Sequence, residues 1–274
     1  ARNFDVVVDF VMYNGDEARH MIDILRNHTG HYLFISSGQV YLVREGIERP
    51  FTEDEYEGRL QPPPKENTYA YEEWLYGMNK RAAEDAFRTA YAEFDFPYTS
   101  LRLPMVNSEY DHFKRLYNYY LRLRDGGPIL VPETPSYPLR HVYGGDVVKA
   151  LLQLVEQDTG IGRAYNISQE ETVSLDEFLE ILADVMGVAA PSIVRMKRSE
   201  LDANGFLPDC SPFSERWMSE LDNTRSKQEL GMVYTPLPEY LKNLVTHYDA
   251  HKPKKPTSYN RRSAELSEAI RTVE

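Results

Sequence analysis

The order of apolar segments along the chain predicts an α/β fold built around a parallel sheet. Two short, β-branched segments, 4–10 and 31–37, are separated by an amphipathic helix at 14–25. A second helix, 71–94, leads into a third strand at 98–104. Strands that alternate with helices pair in parallel, because each helix carries the chain back to the same end of the sheet.

Each of these elements rests on a local pattern. The first strand, Phe4–Phe10 (FDVVVDF), is almost continuously apolar, which predicts burial on both faces. The segment 31–37 (HYLFISS) is a second apolar strand that ends in two serines. Helix 14–25 carries apolar residues at helical spacing, namely Ala18, Met21, Ile22 and Leu25.

The rest of the chain is predicted to hold shorter elements after a polar, proline-rich loop at 44–67. Strands are predicted at 129–131, 165–167 and 193–196, and helices at 109–124, 146–156, 174–187, 221–230 and 237–248. Ser174 with Glu177 three residues later forms the capping-box pattern of a helix start. We expect the basic segment 251–274 to be a solvated tail.

Composition narrows the class of protein. The formal net charge is −12, which disfavours nucleic acid as a partner because phosphate binding needs clustered Lys and Arg. The only cysteine, Cys210, rules out an intrachain disulfide. No apolar run approaches the ~20 residues of a membrane-spanning helix. We therefore expect a cytoplasmic protein with no membrane association, and we see no pattern of metal ligands.

One pair of residues suggests chemistry. Tyr76 and Lys80 are four apart on the helix 71–94, so the ammonium can lie near the phenol. A free phenol has a pKa near ~10, and a neighbouring positive charge lowers it. A tyrosine tuned in this way can exchange a proton with a substrate hydroxyl.

The spacing Y-x-x-x-K is weak evidence alone, because the 20 tyrosines also give Tyr110/Lys114 and Tyr248/Lys252. Only Tyr76 follows a strand that ends in serine. Ser37 stands at the carboxyl end of the strand 31–37, and this edge of a parallel sheet is where α/β folds bind ligands. A serine there can hold a reacting oxygen, or it can simply satisfy the end of the strand.

Residues 34–41 (FISSGQVY) resemble the F-x-S-S-x-x-V-Y signature of the extended short-chain dehydrogenases/reductases, also called the NAD-dependent epimerase/dehydratase family. Ser37 falls on the catalytic serine of that motif, and Tyr76 and Lys80 fall on its Tyr-x-x-x-Lys pair. Further matches keep the family order, at Asp5–Phe10 (with Asp9 in place of a histidine), Leu101–Pro104, Arg140–Tyr143 with Asp146, Tyr165–Ile167 and Ser226–Pro236.

The resemblance implies a Rossmann-like parallel sheet with a smaller C-terminal α/β substrate-binding lobe. It assigns residues 1–107 and 138–168 to a partial dinucleotide-binding core, 108–137 and 169–250 to the substrate lobe, and 251–274 to the tail. The family's glycine-rich loop, which cradles a pyrophosphate, is absent from this sequence. We therefore expect the first strands of the sheet to precede Phe4.

The resemblance also implies site residues and partners. NAD or NADP would be the cofactor, and its nicotinamide end would contact Phe10, Val11, Tyr76, Lys80, Pro104, Met105 and Val106. A nucleotide-sugar-like substrate would contact Gln39, Asn107, His112, Arg140 and Tyr143. A homodimer would form through the helices 14–26 and 71–93.

Two functions remain open from the sequence. In the first, Tyr76 is the general acid/base, Lys80 lowers its pKa, and Ser37 orients a sugar hydroxyl during oxidoreduction, epimerisation or dehydration. The second is suggested by residues 140–248, which resemble the branch that includes the chloroplast stem-loop RNA-binding proteins. This alternative is a non-redox RNA-binding or RNA-cleaving protein, and it leaves the Ser-Tyr-Lys set unexplained.

Overall fold

A computed structural model describes residues 3–157 and 159–273. The chain divides into two compact units. The first unit contains the residues up to Met105, Gly145–Glu170 and Ser219–Tyr234. The second contains Val106–Gly144, Glu171–Met218 and the residues from Thr235 onward. The domain boundaries that the resemblance implies are a separate division of the chain, and they remain a prediction.

The first unit is built on a parallel sheet with the strand order β1-β2-β3-β7. Its strands are β1 (Phe4–Asp9), β2 (Thr29–Ser37), β3 (Tyr98–Leu103) and β7 (Arg163–Asn166). Its helices are α1 (Gly15–Leu25), α2 (Gln39–Leu42), α3 (Tyr69–Phe94), α5 (Gly144–Gln157, whose first residue belongs to the second unit) and α8 (Thr224–Leu230). The predicted α/β class with a parallel sheet is confirmed.

Apolar and aromatic side chains pack between the sheet and the helices α1 and α3. Tyr32 and Phe34 of β2 meet Phe87 of α3, with ring centroids 5.0 and 5.3 Å apart. Ala18 and Ile22, which the helical spacing had marked, are buried against them. This packing holds α3 at a fixed height across the sheet.

The strand β1 differs from its prediction, because it is not buried on both faces. Phe4 is 43% exposed and Val8 is 36% exposed. Among the described residues β1 pairs with β2 alone, so it is an edge strand of this sheet. An apolar run cannot distinguish an edge strand from a central one, since the difference lies in its neighbours.

Residues 44–67 were predicted as a loop, but part of this segment is folded onto the first unit. It contains a 3₁₀ turn, Glu53–Tyr56, in which the ring of Tyr56 is buried. Arg81 of α3 stacks over that ring and donates to the carbonyls of Val40 and Tyr56 at 2.9 and 2.8 Å. The segment therefore covers one side of α3.

The second unit holds two small parallel sheets, β4 (Val106–Asn107) with β6 (Val142–Tyr143) and β5 (Ile129–Pro132) with β8 (Ile193–Met196). Its helices are α4 (Arg115–Asp125), α6 (Leu175–Met186), α7 (Arg198–Ala203), α9 (Leu237–His251) and α10 (Arg262–Val273). The capping box of Ser174 and Glu177 at the start of α6 is confirmed.

Two predictions for this unit were wrong. The helix predicted from 109 begins at Arg115, because the Asp111 carboxylate binds the backbone N–H groups of Phe113 and Arg115 and Lys114 adopts a left-handed conformation. The expected tail contains α10. Glu265 of that helix is buried and forms a double hydrogen bond with Arg122 at 2.6 and 3.0 Å, and this pair fastens α10 to α4.

Within the described residues, no helix combines the length and the apolar character that a membrane span requires.

A close approach between α2 and α3 gives a first testable prediction. A Cβ atom added at Gly77 would lie 2.8 Å from the carbonyl oxygen of Gln39 and 2.7 Å from Val43 Cγ1. We expect Gly77→Ala to lower the free energy of unfolding by about 1–3 kcal/mol, because overpacking forces the backbone apart. Urea unfolding measures this change. Ala92→Gly, at an exposed position near the end of the same helix, reports the propensity effect without loss of core packing.

Candidate active site

The structure brings Ser37, Tyr76 and Lys80 together in the first unit. Ser37 is the last residue of β2, and its side chain lies near enough to the Tyr76 phenol to lower the pKa of that group. Lys80 follows Tyr76 by one turn of α3, and its Nζ lies 5.8 Å from the centre of the Tyr76 ring. Ser37 and Tyr76 are each partly exposed, whereas Lys80 is buried.

Lys80 is held by the backbone at the ends of two strands. Its Nζ donates to the carbonyl oxygen of Met12 at 2.7 Å and to that of Ile35 at 3.0 Å. An ammonium has three N–H donors, so one of them has no protein partner among the described residues. Burial lowers the pKa of Lys80 to about 8, and Asp9, Glu84 and Glu17 oppose that shift.

The expectation that Lys80 lowers the pKa of Tyr76 was wrong for the protein in this state. Burial raises the pKa of the Tyr76 phenol, and Glu73 and Tyr13 add to the increase. Ser37 lowers the pKa of the Tyr76 phenol, but by less than burial raises that pKa. The Lys80 ammonium donates to two carbonyls instead of to the phenol oxygen, and desolvation therefore dominates.

The lowered pKa of Lys80 predicts a pH dependence of stability. Between pH 8 and 10.5 the unfolded chain binds more protons at this residue than the folded chain does, so stability gained through Lys80 rises with pH in that window. Below pH 8 the cost of burying the charge is fully present. We expect the difference in unfolding free energy between the wild type and Lys80→Met to move in favour of the wild type from pH 8 to 10. A constant difference over that range, measured by urea unfolding, would contradict the assignment.

Glu84, Arg102 and Ser36 form a network of buried polar side chains close to the three candidate residues. Glu84 lies one turn beyond Lys80 on α3 and binds Arg102 of β3 through both carboxylate oxygens, at 2.6–3.2 Å. The hydroxyl of Ser36, the neighbour of Ser37, donates to Glu84 as well. Sequence reasoning missed this pair, although the four-residue spacing from Tyr76 through Lys80 to Glu84 placed the three on one face of the helix.

The other two Y-x-x-x-K pairs have different surroundings, and both lie in the second unit. Tyr110 is 85% exposed, and Lys114 donates to the carbonyl of Lys254 at 2.7 Å. Tyr248 is buried against Tyr117. In the described residues, neither the Tyr110 hydroxyl nor the Tyr248 hydroxyl has a hydrogen bond to a serine at the end of a strand. This supports the choice of Tyr76, which was based on its position after a strand that ends in serine.

Four of the seven residues predicted to contact the nicotinamide follow the carboxyl ends of β1 and β3, and Tyr76 and Lys80 lie on α3. Phe10 and Val11 follow β1 and are 63% and 87% exposed. Pro104 and Met105 follow β3, whose Leu103 carbonyl accepts from the Gly38 backbone at 2.7 Å beside Ser37. Val106 belongs to the second unit. Exposed apolar side chains beside an ammonium with a spare donor fit the nicotinamide ribose end of a dinucleotide.

The predicted substrate residues are divided between the units. Gln39 is in the first unit, where its Nε2 donates to the Glu73 carboxylate at 2.6 Å. Asn107 and Tyr143 are neighbours in the second unit, and both contact Tyr240, through a hydrogen bond of 3.3 Å and a ring stack of 5.7 Å respectively. Arg140 is nearly buried one residue before His141.

His112 lines a cavity of about 410 Å³ within the second unit, together with Glu109, which accepts a hydrogen bond from the Tyr143 hydroxyl at 2.6 Å. Other residues that line this cavity include Tyr110, Lys114, Tyr117, His247, Tyr248 and His251. The nearest aromatic neighbour of His112 is Phe113, at 5.5 Å between ring centroids.

Comparison with known proteins identifies chains of similar fold. A search of curated proteins finds no significant match. Among solved structures, dTDP-glucose 4,6-dehydratase from Bacillus anthracis str. Ames, in complex with NAD, is similar at a TM-score of 0.68 and 14% identity, covering 90% of this chain and 73% of that one. UDP-glucose 4-epimerase from Thermotoga maritima, with UDP-glucose, has a TM-score of 0.64 and 17% identity, covering 91% and 78%.

The TM-scores show a shared fold, at sequence identities of 14% and 17%. The model of the NAD dependent epimerase/dehydratase family, however, matches residues 1–168, which is more than half of the chain. With the parallel sheet and the strand-end serine already in place, the match is sufficient to assign the protein. The chain belongs to the NAD dependent epimerase/dehydratase family.

Proposed function

We propose that the protein is an NAD(P)-dependent oxidoreductase, epimerase or dehydratase that acts on a hydroxyl group of a nucleotide sugar. The observation that carries the proposal is that Ser37, at the carboxyl end of β2, acts on the Tyr76 phenol, with Lys80 one turn further along α3 and its Nζ 5.8 Å from the centre of the Tyr76 ring. Similarity to the two sugar-nucleotide enzymes named above supports the substrate class.

The chain's own residues would handle the proton. Ser37 Oγ would hold the reacting oxygen of the substrate against Tyr76 Oη. Because burial raises the pKa of Tyr76, this phenol is protonated at neutral pH and is suited to donate to a developing alkoxide. In the opposite direction, the phenol would first have to lose its proton to solvent, and the resulting phenolate oxygen would then accept the proton of the substrate hydroxyl.

Cofactor binding would use the edge formed by β1, β2 and β3. Lys80 would direct its remaining N–H to the nicotinamide ribose, and Phe10, Val11, Pro104 and Met105 would supply apolar contacts. A bound nicotinamide supplies hydride acceptance and return at the substrate carbon.

The substrate-binding residues and the homodimer implied by the family resemblance are also part of this proposal. Gln39, Asn107, His112, Arg140 and Tyr143 would contact the substrate. The homodimer through the helices 14–26 and 71–93 stays a prediction, and so do the cytoplasmic location and the resemblance to the chloroplast stem-loop RNA-binding branch.

Thermal unfolding with added ligands tests the proposal without requiring turnover. A ligand at about 100 times its Kd stabilises the folded state by about 2.7 kcal/mol, which raises the Tm of a chain of this size by several degrees, at roughly 2–4 °C per kcal/mol. We expect such a rise with NAD or NADP, increased further by UDP-glucose or dTDP-glucose. Lys80→Met should lose most of the dinucleotide effect.

The decisive contrary result is a Tm that neither dinucleotide nor either sugar nucleotide changes. A rise with a stem-loop RNA alone would instead favour the RNA-binding alternative. Adenosine at the same concentration is the ligand control, because it lacks the nicotinamide half.

A further inference from the structure

The ammonium of Lys80 depends on a turn that follows β1. One of its two acceptors, the Met12 carbonyl, belongs to that turn, and the other, the Ile35 carbonyl, belongs to β2. Met12 is buried, whereas its neighbours Phe10 and Val11 are exposed. The turn therefore needs a fixed conformation to keep the Met12 carbonyl directed at Lys80.

The side chain of Asp9 provides that conformation. Its Oδ1 accepts hydrogen bonds from the backbone N–H groups of Val11 and Met12, each at 2.9 Å. Its Oδ2 accepts from the hydroxyl of Tyr32, a fully buried residue of β2, at 2.5 Å. The carboxylate therefore closes the turn and ties it to the neighbouring strand.

Asp9 also opposes the shift in the pKa of Lys80 more than the other acidic groups near it do. The charged groups that face the ammonium are Asp9, Glu84 and Glu17. Glu84 is neutralised by its double hydrogen bond with Arg102. Glu17 lies on α1, where its carboxylate accepts from the Tyr13 backbone at 2.6 Å. In the part of the chain that the structure describes, no ion pair involves Asp9, so its charge acts on Lys80 without a competing cation.

We infer that Asp9 is the positioning residue of Lys80, since its carboxylate shapes the turn whose Met12 carbonyl receives the ammonium and places a negative charge near it. The catalytic meaning of this role rests on the proposed function. The contacts of Asp9 with the turn and with Tyr32 do not depend on that function. Asp9 occupies the position where the sequence departs from the family's histidine, so this arrangement is a property of this chain.

The test removes the negative charge of Asp9 and keeps an oxygen acceptor for the turn. Asp9→Asn keeps an oxygen acceptor for the turn but removes the charge, and Asp9→Ser keeps a smaller acceptor without charge. Asp5→Asn removes the same charge from an exposed position on the same strand and is the matched control. The titration of Lys80 is followed by nuclear magnetic resonance on lysine-labelled protein, with Lys80→Arg used to assign the signal.

We expect the titration midpoint of Lys80, which lies at about 8 in the wild type, to fall by about one pH unit or more in Asp9→Asn and Asp9→Ser. Asp5→Asn should leave it unchanged. Tyr32→Phe removes a donor from Asp9 but leaves the charge in place, so its midpoint should not fall. An unchanged midpoint in whichever of the two uncharged variants folds would overturn the inference, and so would an equal fall in Asp5→Asn.

A second readout separates this inference from the proposed function. With a sugar-nucleotide substrate, Asp9→Asn should shift the pH profile of kcat/KM, whereas a merely structural defect would lower it at every pH. The Lys80 titration needs no turnover. If it shifts while no activity is found with any sugar nucleotide, the proposed function fails and the role of Asp9 stands.

Discussion

Tyr76→Phe is expected to lower kcat/KM for the sugar-nucleotide substrate by about 10²–10⁴-fold, the usual contribution of a positioned general acid/base. The substitution removes the one oxygen that can exchange a proton with the substrate next to Ser37, and it leaves the ring in place against Tyr13 at 5.8 Å. Steady-state kinetics with the cofactor at saturation measure the change. Ser37→Ala should give a loss in the same direction, because the substrate oxygen and the phenol would lose a shared partner.

The control for this prediction is another phenol on the same helix. Tyr91 of α3 is 38% exposed, and Tyr91→Phe removes the same atom beside Tyr98, at the amino end of β3 and away from Ser37. We expect Tyr91→Phe to retain wild-type kinetics. Full activity in a correctly folded Tyr76→Phe protein would refute the assignment of Tyr76, whatever the other variants show.

Glu84→Gln is expected to lower the free energy of unfolding by about 3–5 kcal/mol. The side chains of Glu84 and Arg102 are 2% and 3% exposed, and they meet at 2.6 Å. Removing the carboxylate charge leaves the Arg102 guanidinium buried without its counter-charge, which costs far more than the loss of a solvated pair. Because Ser36 also donates to Glu84, the end of β2 beside Ser37 should loosen as well, and urea unfolding with hydrogen exchange would detect both effects.

An exposed ion pair of equal length, with one partner on α3, provides the comparison. Arg88 and Glu57 also meet at 2.6 Å, but their side chains are 46% and 70% exposed. Glu57→Gln removes the same charge from water, so we expect a change of about 0–1 kcal/mol. Equal effects of the two substitutions would show that burial does not set the strength of the Glu84 pair.

The position of the three candidate residues was predictable because each depended on a local rule. Four-residue spacing puts Tyr76 and Lys80 on one helix face, and a serine at the end of a buried strand lies at the carboxyl edge of the sheet. The pKa of Tyr76 was not predictable in this way. It depends on how deeply the phenol is buried and on where the Lys80 ammonium points, and both are set by residues distant in sequence, such as Met12 and Ile35.

By itself the sequence determined the α/β class, most of the strand and helix positions, and the residues of the candidate site. These follow from periodicity and from turn residues, which act over a few positions of the chain. The tertiary structure alone decided that β1 is an edge strand of the described sheet, that residues 44–67 fold against α3, and that α10 docks on α4 through Arg122 and Glu265. The physical reason is that burial and charge pairing join residues far apart in the chain, and no local pattern records which distant partner will be present.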